Sequence, residues 1–185
     1  MLRLTENLRN LCALHAQKKT TMKHAASTFK EELLFGLKAV RESILAEALK
    51  LPPEAQNHTF LGTWTVIDLL AHLAGWDNAN LQAAKDILDS LLPEFYEHHD
   101  PDWKLYNAML VAIYKKPSLK EQVEFVRETQ KQLLDYLQTL SAEDFNRDTG
   151  VRFKGIKVTI ARLLQSELDD EKTHFEQVFE FRKSL

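Results

Sequence analysis

The chain holds a single cysteine, Cys12, in 185 residues. No internal disulfide can therefore hold it, and a reducing, cytoplasmic setting suits it. Glycine is scarce too, at five residues, while Ala, Leu, Glu, Lys and Gln are plentiful, a balance that favours helices over sheets. No apolar run approaches the roughly 18 residues that a membrane span requires, so no membrane partner is expected. A basic excess is also missing: the net charge is −3, which sets the expectation of no nucleic-acid partner. What is present, 44% hydrophobic and 28% charged residues, is the composition of one globular domain long enough to bury a core.

The first 24 residues differ in charge from the rest, with Arg3, Arg9, Lys18, Lys19 and Lys23 against Glu6 alone. They contain no long apolar segment of the kind a secretory signal needs. Residues 1–22 are read as a poorly ordered N-terminal extension, with Met22 an alternative start, and residues 23–185 as the folded domain.

Apolar residues recur at spacings of three and four along four stretches. Phe29, Leu33, Leu37, Val40, Ile44, Ala48 and Leu51 define the stripe of a first helix from Ser27 to Lys50, ended by Pro52-Pro53. Residues 52–63 are long enough for a crossover rather than a tight hairpin. A second helix runs from Thr65 to Leu92 and stops at Pro93, and a shorter one runs from Trp103 to Lys116. Ser118 with Glu121 forms a capping-box pattern that opens a third long helix. Its stripe includes Leu119, Val123, Val126, Gln130, Leu133, Leu137 and Leu140. Ser141–Phe145 predicts a helical turn, residues 146–158 a loop with a brief extended segment, and Val158–Lys183 the last helix. The expected fold class is all-α: a four-helix bundle with a long crossover loop after helix 1 and a short extra helix between helices 2 and 3.

Within the second helix the stretch Thr63–Asp77 stands out. Thr65 and Asp68 resemble a capping box with Asp in place of Glu or Gln. On a helical wheel Leu69, Leu73, Trp76, Asn80, Ala84, Ile87 and Leu91 share one arc, with the ionisable His72 at its edge.

The last helix repeats that anomaly more strongly. Ile160, Leu164, Leu168, Phe175 and Val178 form its apolar arc, yet Glu167, Glu171 and His174 fall inside it and Asp170 on its margin. Buried ionisable groups need a partner, a hydrogen bond or a metal. The spacing of Asp170 and of Glu171 to His174 places each pair on one helical face. With His72 they offer two imidazoles and one or two carboxylates, a set that suits zinc, nickel, iron or manganese. The alternative is a buried Glu–His pair, with Glu167 and Asp170 solvated or paired to Lys172 or Arg162. A di-iron centre is excluded, because Glu-x-x-His occurs here on one helix only. His98-His99-Asp100 is read as a solvated loop.

The segment Trp64–Asp77, Trp-x-x-x-Asp-Leu-Leu-Ala-His-Leu-x-Gly-Trp-Asp, resembles the second-helix signature of DinB-like four-helix bundles, most of all the ClbS/DfsB-like branch. That resemblance implies a metal held by His72, His174 and, where the family usually has histidine, Asp170. It implies a detoxification-type hydrolase or thiol transferase acting on a small molecule, with Glu171 as the candidate general base. Trp76, Asp77 and Asn80 would line the pocket, and no nucleotide cofactor is implied. The alternative is a non-catalytic bundle that sequesters a small ligand or a protein partner. A homodimer is the one self-assembly expected.

Overall fold

A computed structural model describes the backbone of residues 2–97 and 102–185, and the side chains of residues 26–97 and 103–185. The His98-His99-Asp100 run lies outside the described residues. The order is α1 (Leu2–Leu49), a 3-10 turn (Pro53–Asn57), α2 (Val66–Leu88), a 3-10 turn (Glu94–Glu97), α3 (Asp102–Tyr114), α4 (Leu119–Thr139), α5 (Ala142–Asn146), β1 (Arg152–Phe153), β2 (Ile156–Lys157) and α6 (Ile160–Lys183). The fold is all-α. α1 packs chiefly on α6, α2 on α4, and the short α3 lies against α2.

Local chemistry accounts for the boundaries. Thr65 and Asp68 form a reciprocal capping box, the Thr65 amide donating to Asp68 Oδ2 at 2.9 Å. Asp68 also accepts from Lys115 Nζ at 2.6 Å, which ties the end of α3 to the start of α2. Ser118 caps α4 by accepting from the Glu121 amide. Between β1 and β2, Lys154 and Gly155 take positive φ of 48° and 78°, the left-handed pair that a two-residue hairpin demands.

Two boundaries depart from expectation. α2 ends at Leu88 rather than Leu92, because Ser90 turns into the left-handed region and the Leu91 amide bonds back to the Asp86 carbonyl at 2.8 Å. Leu91, expected on the buried arc, is 57% exposed. α1 begins at Leu2, so the backbone of the expected extension continues the first helix. Side chains before residue 26 lie outside the described set, and the independence of residues 1–22 is a matter for experiment.

The core is split. One apolar cluster gathers Leu33, Leu37, Ile87, Leu137, Phe145 and Leu164; the other gathers Ile44, Leu45, Leu69, Leu73, Val126 and Val178. On every long helix the residues between these groups are polar and buried: Arg41 on α1, Asp77 on α2, Thr129 and Gln130 on α4, Glu171 on α6. A polar layer thus crosses the bundle at mid-height.

Gly75 decides how near α3 can come. A Cβ there would sit 2.8 Å from Leu110 Cβ, so α3 itself would have to move. Gly75→Ala is expected to lower the melting temperature by a few degrees in a thermal scan. Overpacking costs about 1–3 kcal/mol, which exceeds the roughly 1 kcal/mol of helix propensity gained. Deleting residues 1–22 is expected to leave that temperature unchanged if they are an appendage; each kcal/mol of lost packing would remove about 2–4 °C.

Candidate functional site

A cavity of about 630 Å³ opens beside α2 and α6, roofed by α3 and the hairpin. Aromatic rings make one part of it. Trp76 stacks on Trp103 with centroids 5.8 Å apart, and Phe95 meets Trp76 edge-on at 5.2 Å. Trp76 Nε1 donates to Asn107 Oδ1 at 3.1 Å, which satisfies the one polar edge of that ring.

Polar groups make the other part. α6 contributes Glu167, Asp170 and His174, and α2 contributes His72 and Asn80. The structure brings His72, Asp170 and His174 together, each offering one ligand atom within 4.8 Å of the other two. His174 Nε2 lies 3.2 Å from Asp170 Oδ2, and Nδ1 lies 2.8 Å from Gln177 Oε1. The two imidazoles meet edge-on with centroids 5.4 Å apart.

Burial, reinforced by neighbouring His174, pushes His72 down to about 3, so its ring is neutral. Its Nδ1 is buried and has no hydrogen-bond partner. Burial alone would lower His174 as well, but Asp170 and Gln177 more than offset it and the net shift is upward. Asp170 is held below the usual carboxylate range by its hydrogen bond with His174.

These residues fit a divalent ion. Two imidazoles and a carboxylate are a common three-ligand set that leaves positions for water or substrate. The orphaned His72 nitrogen is the strongest sign, since buried polar atoms in native proteins rarely lack a partner.

Asp77 and Glu171 do not stand where the sequence reading put them. Both are clamped by Arg41, which is wholly buried. Arg41 donates to Asp77 Oδ2 and Oδ1 at 2.9 and 3.1 Å, and to Glu171 Oε2 and Oε1 at 3.0 and 2.7 Å. Thr129 Oγ1 adds a 2.7 Å bond to Asp77. Asp77 therefore belongs to the polar layer instead of the cavity lining, and Glu171, with both oxygens accepting from the guanidinium, is likewise not among the cavity-lining residues. Trp76 and Asn80 do line the cavity.

Glu167, placed inside the apolar arc with a solvated or ion-paired position as the alternative, lines the cavity with its Oε2 accepting from Asn80 Nδ2 at 2.9 Å. Lys172, one cation offered to it by the sequence, bonds Asp169 instead. Burial, with repulsion from Glu171, pushes Glu167 up to about 8. Arg41 was missed altogether. Its signal was a charge at the i+4 position from Leu37 and i−3 from Ile44, inside an apolar stripe.

The comparisons agree with this architecture. A profile of the DinB superfamily matches residues 37–178, and the chain belongs to that superfamily. The fold is that of the colibactin self-resistance protein ClbS, crystallised in complex with a double-stranded DNA: TM-score 0.70, 16% identity, 84% of this chain and 96% of that one covered. DfsB, a sibling lethal factor precursor, matches with TM-score 0.69 at 21% identity over 84% and 95% of the two chains. An uncharacterised protein of Escherichia coli UTI89 matches with TM-score 0.66 at 16% identity over 84% and 93%. No curated protein matches the sequence significantly. The ClbS complex corrects the expectation that excluded nucleic acid. A net charge of −3 does not rule out a DNA partner when a protein of the same fold takes one.

The Glu167 environment predicts a specific pH dependence. Its carboxyl titrates near 4.5 when unfolded and about 8 when folded, so between those values the folded state binds more protons. Stability is therefore lost as pH rises from about 4.5 to 8. Glu167→Gln removes that loss, and thermal scans between pH 5 and 8 should show a flatter profile than wild type.

Proposed function

We propose that this chain is a metal-dependent enzyme acting on a small molecule in the cavity, with His72, Asp170 and His174 as ligands to zinc, nickel, iron or manganese. The observation that carries this reading is His72, a buried neutral imidazole with an unpartnered nitrogen beside a second imidazole and a carboxylate. The charge balance supports it. Arg41 offers one positive charge to Asp77 and Glu171, and Asp170 adds a further carboxylate, so a divalent cation would offset a local negative excess.

A bound ion of this kind supplies Lewis-acid chemistry, polarising an electrophile or lowering the pKa of a water or thiol. The chain's own residues supply the rest. Gln177 fixes which nitrogen of His174 faces the site. Glu167, steadied by Asn80, keeps a proton on a carboxyl that reaches the cavity, the position a general acid requires. Glu171 acts through Arg41 as a positioning residue. Hydrolysis and thiol transfer are both within reach of such a site, in the cytoplasmic setting that a lone cysteine suits. A sequestering bundle would hold its ligand with no ion at all.

The ClbS complex favours a second reading, in which duplex DNA is a partner. Exposed Lys157 and Arg162 stand at the cavity rim, where phosphates could meet them. Fluorescence anisotropy with a labelled duplex tests it. Binding that weakens steeply with salt supports DNA, and no binding at low salt removes it. Among the described residues no helix is long and apolar enough to cross a membrane.

Metal content decides the leading reading. Purified protein dialysed against zinc, nickel or manganese should retain about one ion per chain by mass spectrometry of the metal, in line with a single three-ligand site. His174→Ala and His72→Ala should each lose most of it while far-UV circular dichroism is unchanged. Asp170→His should retain or tighten it, since imidazole holds zinc and nickel well. Wild-type protein that takes up none of these ions would leave His72 and His174 as a buried polar pair.

A further inference from the structure

The two parts of the cavity make different demands on whatever occupies it. On the aromatic side the Trp76, Phe95 and Trp103 rings pack on one another, and the indole N–H of Trp76 is already spent on Asn107. These rings present apolar surface and no free donor from Trp76. That surface fits a flat apolar body, because offset and edge-on ring contacts favour planar partners.

On the polar side Glu167 is the instructive group. Two carboxylates, Asp77 and Glu171, already share the one guanidinium of the polar layer. Glu167 is the third carboxyl beside it, and its hydrogen bond comes from a neutral amide, Asn80. Glu167 is also among the residues that line the cavity. A largely buried carboxyl without its own cation keeps its proton. Such a group donates a hydrogen bond, where an ionised one would only accept.

We propose that the cavity receives a small molecule with a flat apolar body and an uncharged, hydrogen-bond-accepting head such as a carbonyl. The body lies against Trp76, Phe95 and Trp103, and the head meets Glu167. This deepens the small-molecule reading above by naming its ligand class, and it uses the same cavity without requiring the ion. A cationic ligand is the contrary case: aromatic faces with an ionised carboxylate would favour an ammonium head.

The test compares two probes with one ring system, 2-naphthamide and 2-naphthylmethylammonium, by calorimetric titration with chelator present throughout. A failed metal titration therefore leaves this test standing, and a failure here leaves the metal titration standing. All three tryptophans of the chain, Trp64, Trp76 and Trp103, line the cavity, so their indole N–H signals in NMR report where a probe sits. The amide should bind at least about tenfold more tightly than the ammonium, the difference expected when one buried hydrogen bond is gained. It should also shift the Trp76 and Trp103 signals. Glu167→Gln, which still donates, should hold the amide about as well as wild type, and Glu167→Leu should weaken it about tenfold. Tighter binding of the ammonium, undiminished binding by Glu167→Leu, no binding of either probe, or binding without movement of the indole signals would each overturn the proposal. The two-probe comparison in wild type decides the matter even if Glu167→Leu fails to fold.

Discussion

A single buried cation governs this bundle. Arg41 has no contact with solvent, and its guanidinium can stay charged there only because two carboxylates from two other helices surround it. The dependence is mutual. Asp77 and Glu171 sit where burial favours their neutral forms, and Arg41 is the group that opposes it. Removing one member of such a cluster leaves a charge stranded in a medium of low dielectric, a cost of about 3–5 kcal/mol. Apolar stripes alone would let helices slide past one another, since leucine packs acceptably on leucine in several registers. A slide of one turn, about 5.4 Å, would set Arg41 against an apolar cluster. Gln130, donating to the Leu37 carbonyl at 2.9 Å, adds a second index between α4 and α1.

The candidate site grows from this layer. Once Glu171 is anchored, α6 has a fixed rotation, and Asp170 and His174 are carried to the same side as Glu167. Asp77 does the same for α2, which presents His72, Trp76 and Asn80 on the face toward the cavity. The groups that orient the helices and the groups that face a ligand are therefore neighbours in sequence with separate duties.

Much of this was legible before any coordinates. Stripes at spacings of three and four located the long helices, Thr65 and Ser118 marked their starts, and residues 146–158 were read as a loop with a brief extended segment, where the hairpin falls. Polar residues inside the arc of the last helix pointed to the place where chemistry gathers. The remainder depended on distance. A wheel places residues on an arc to within about a turn, yet it cannot say which neighbour each one meets. Asp77, a pocket residue by the family resemblance, and Glu171, inside the arc of the last helix, find their places only once Arg41 is seen between them. Arg41 itself escaped notice because arginine is normally read as exposed, and its partners come from helices remote in sequence. The end of α2 was misplaced because Pro93 sets the last residue at which a helix can stop, while Ser90 and Leu91 had already turned away.

The absence of a side chain at Gly75 also sets a dimension. Because nothing projects from that point of α2, α3 lies close enough for Trp103 to rest on Trp76. The depth of the chamber is then governed from its outer wall, at a position that a bound molecule never touches. A relative with alanine or serine there would hold α3 farther out and enclose a larger volume with the same interior residues. Guest size could in this way diverge within one lineage while every residue facing the guest stayed the same.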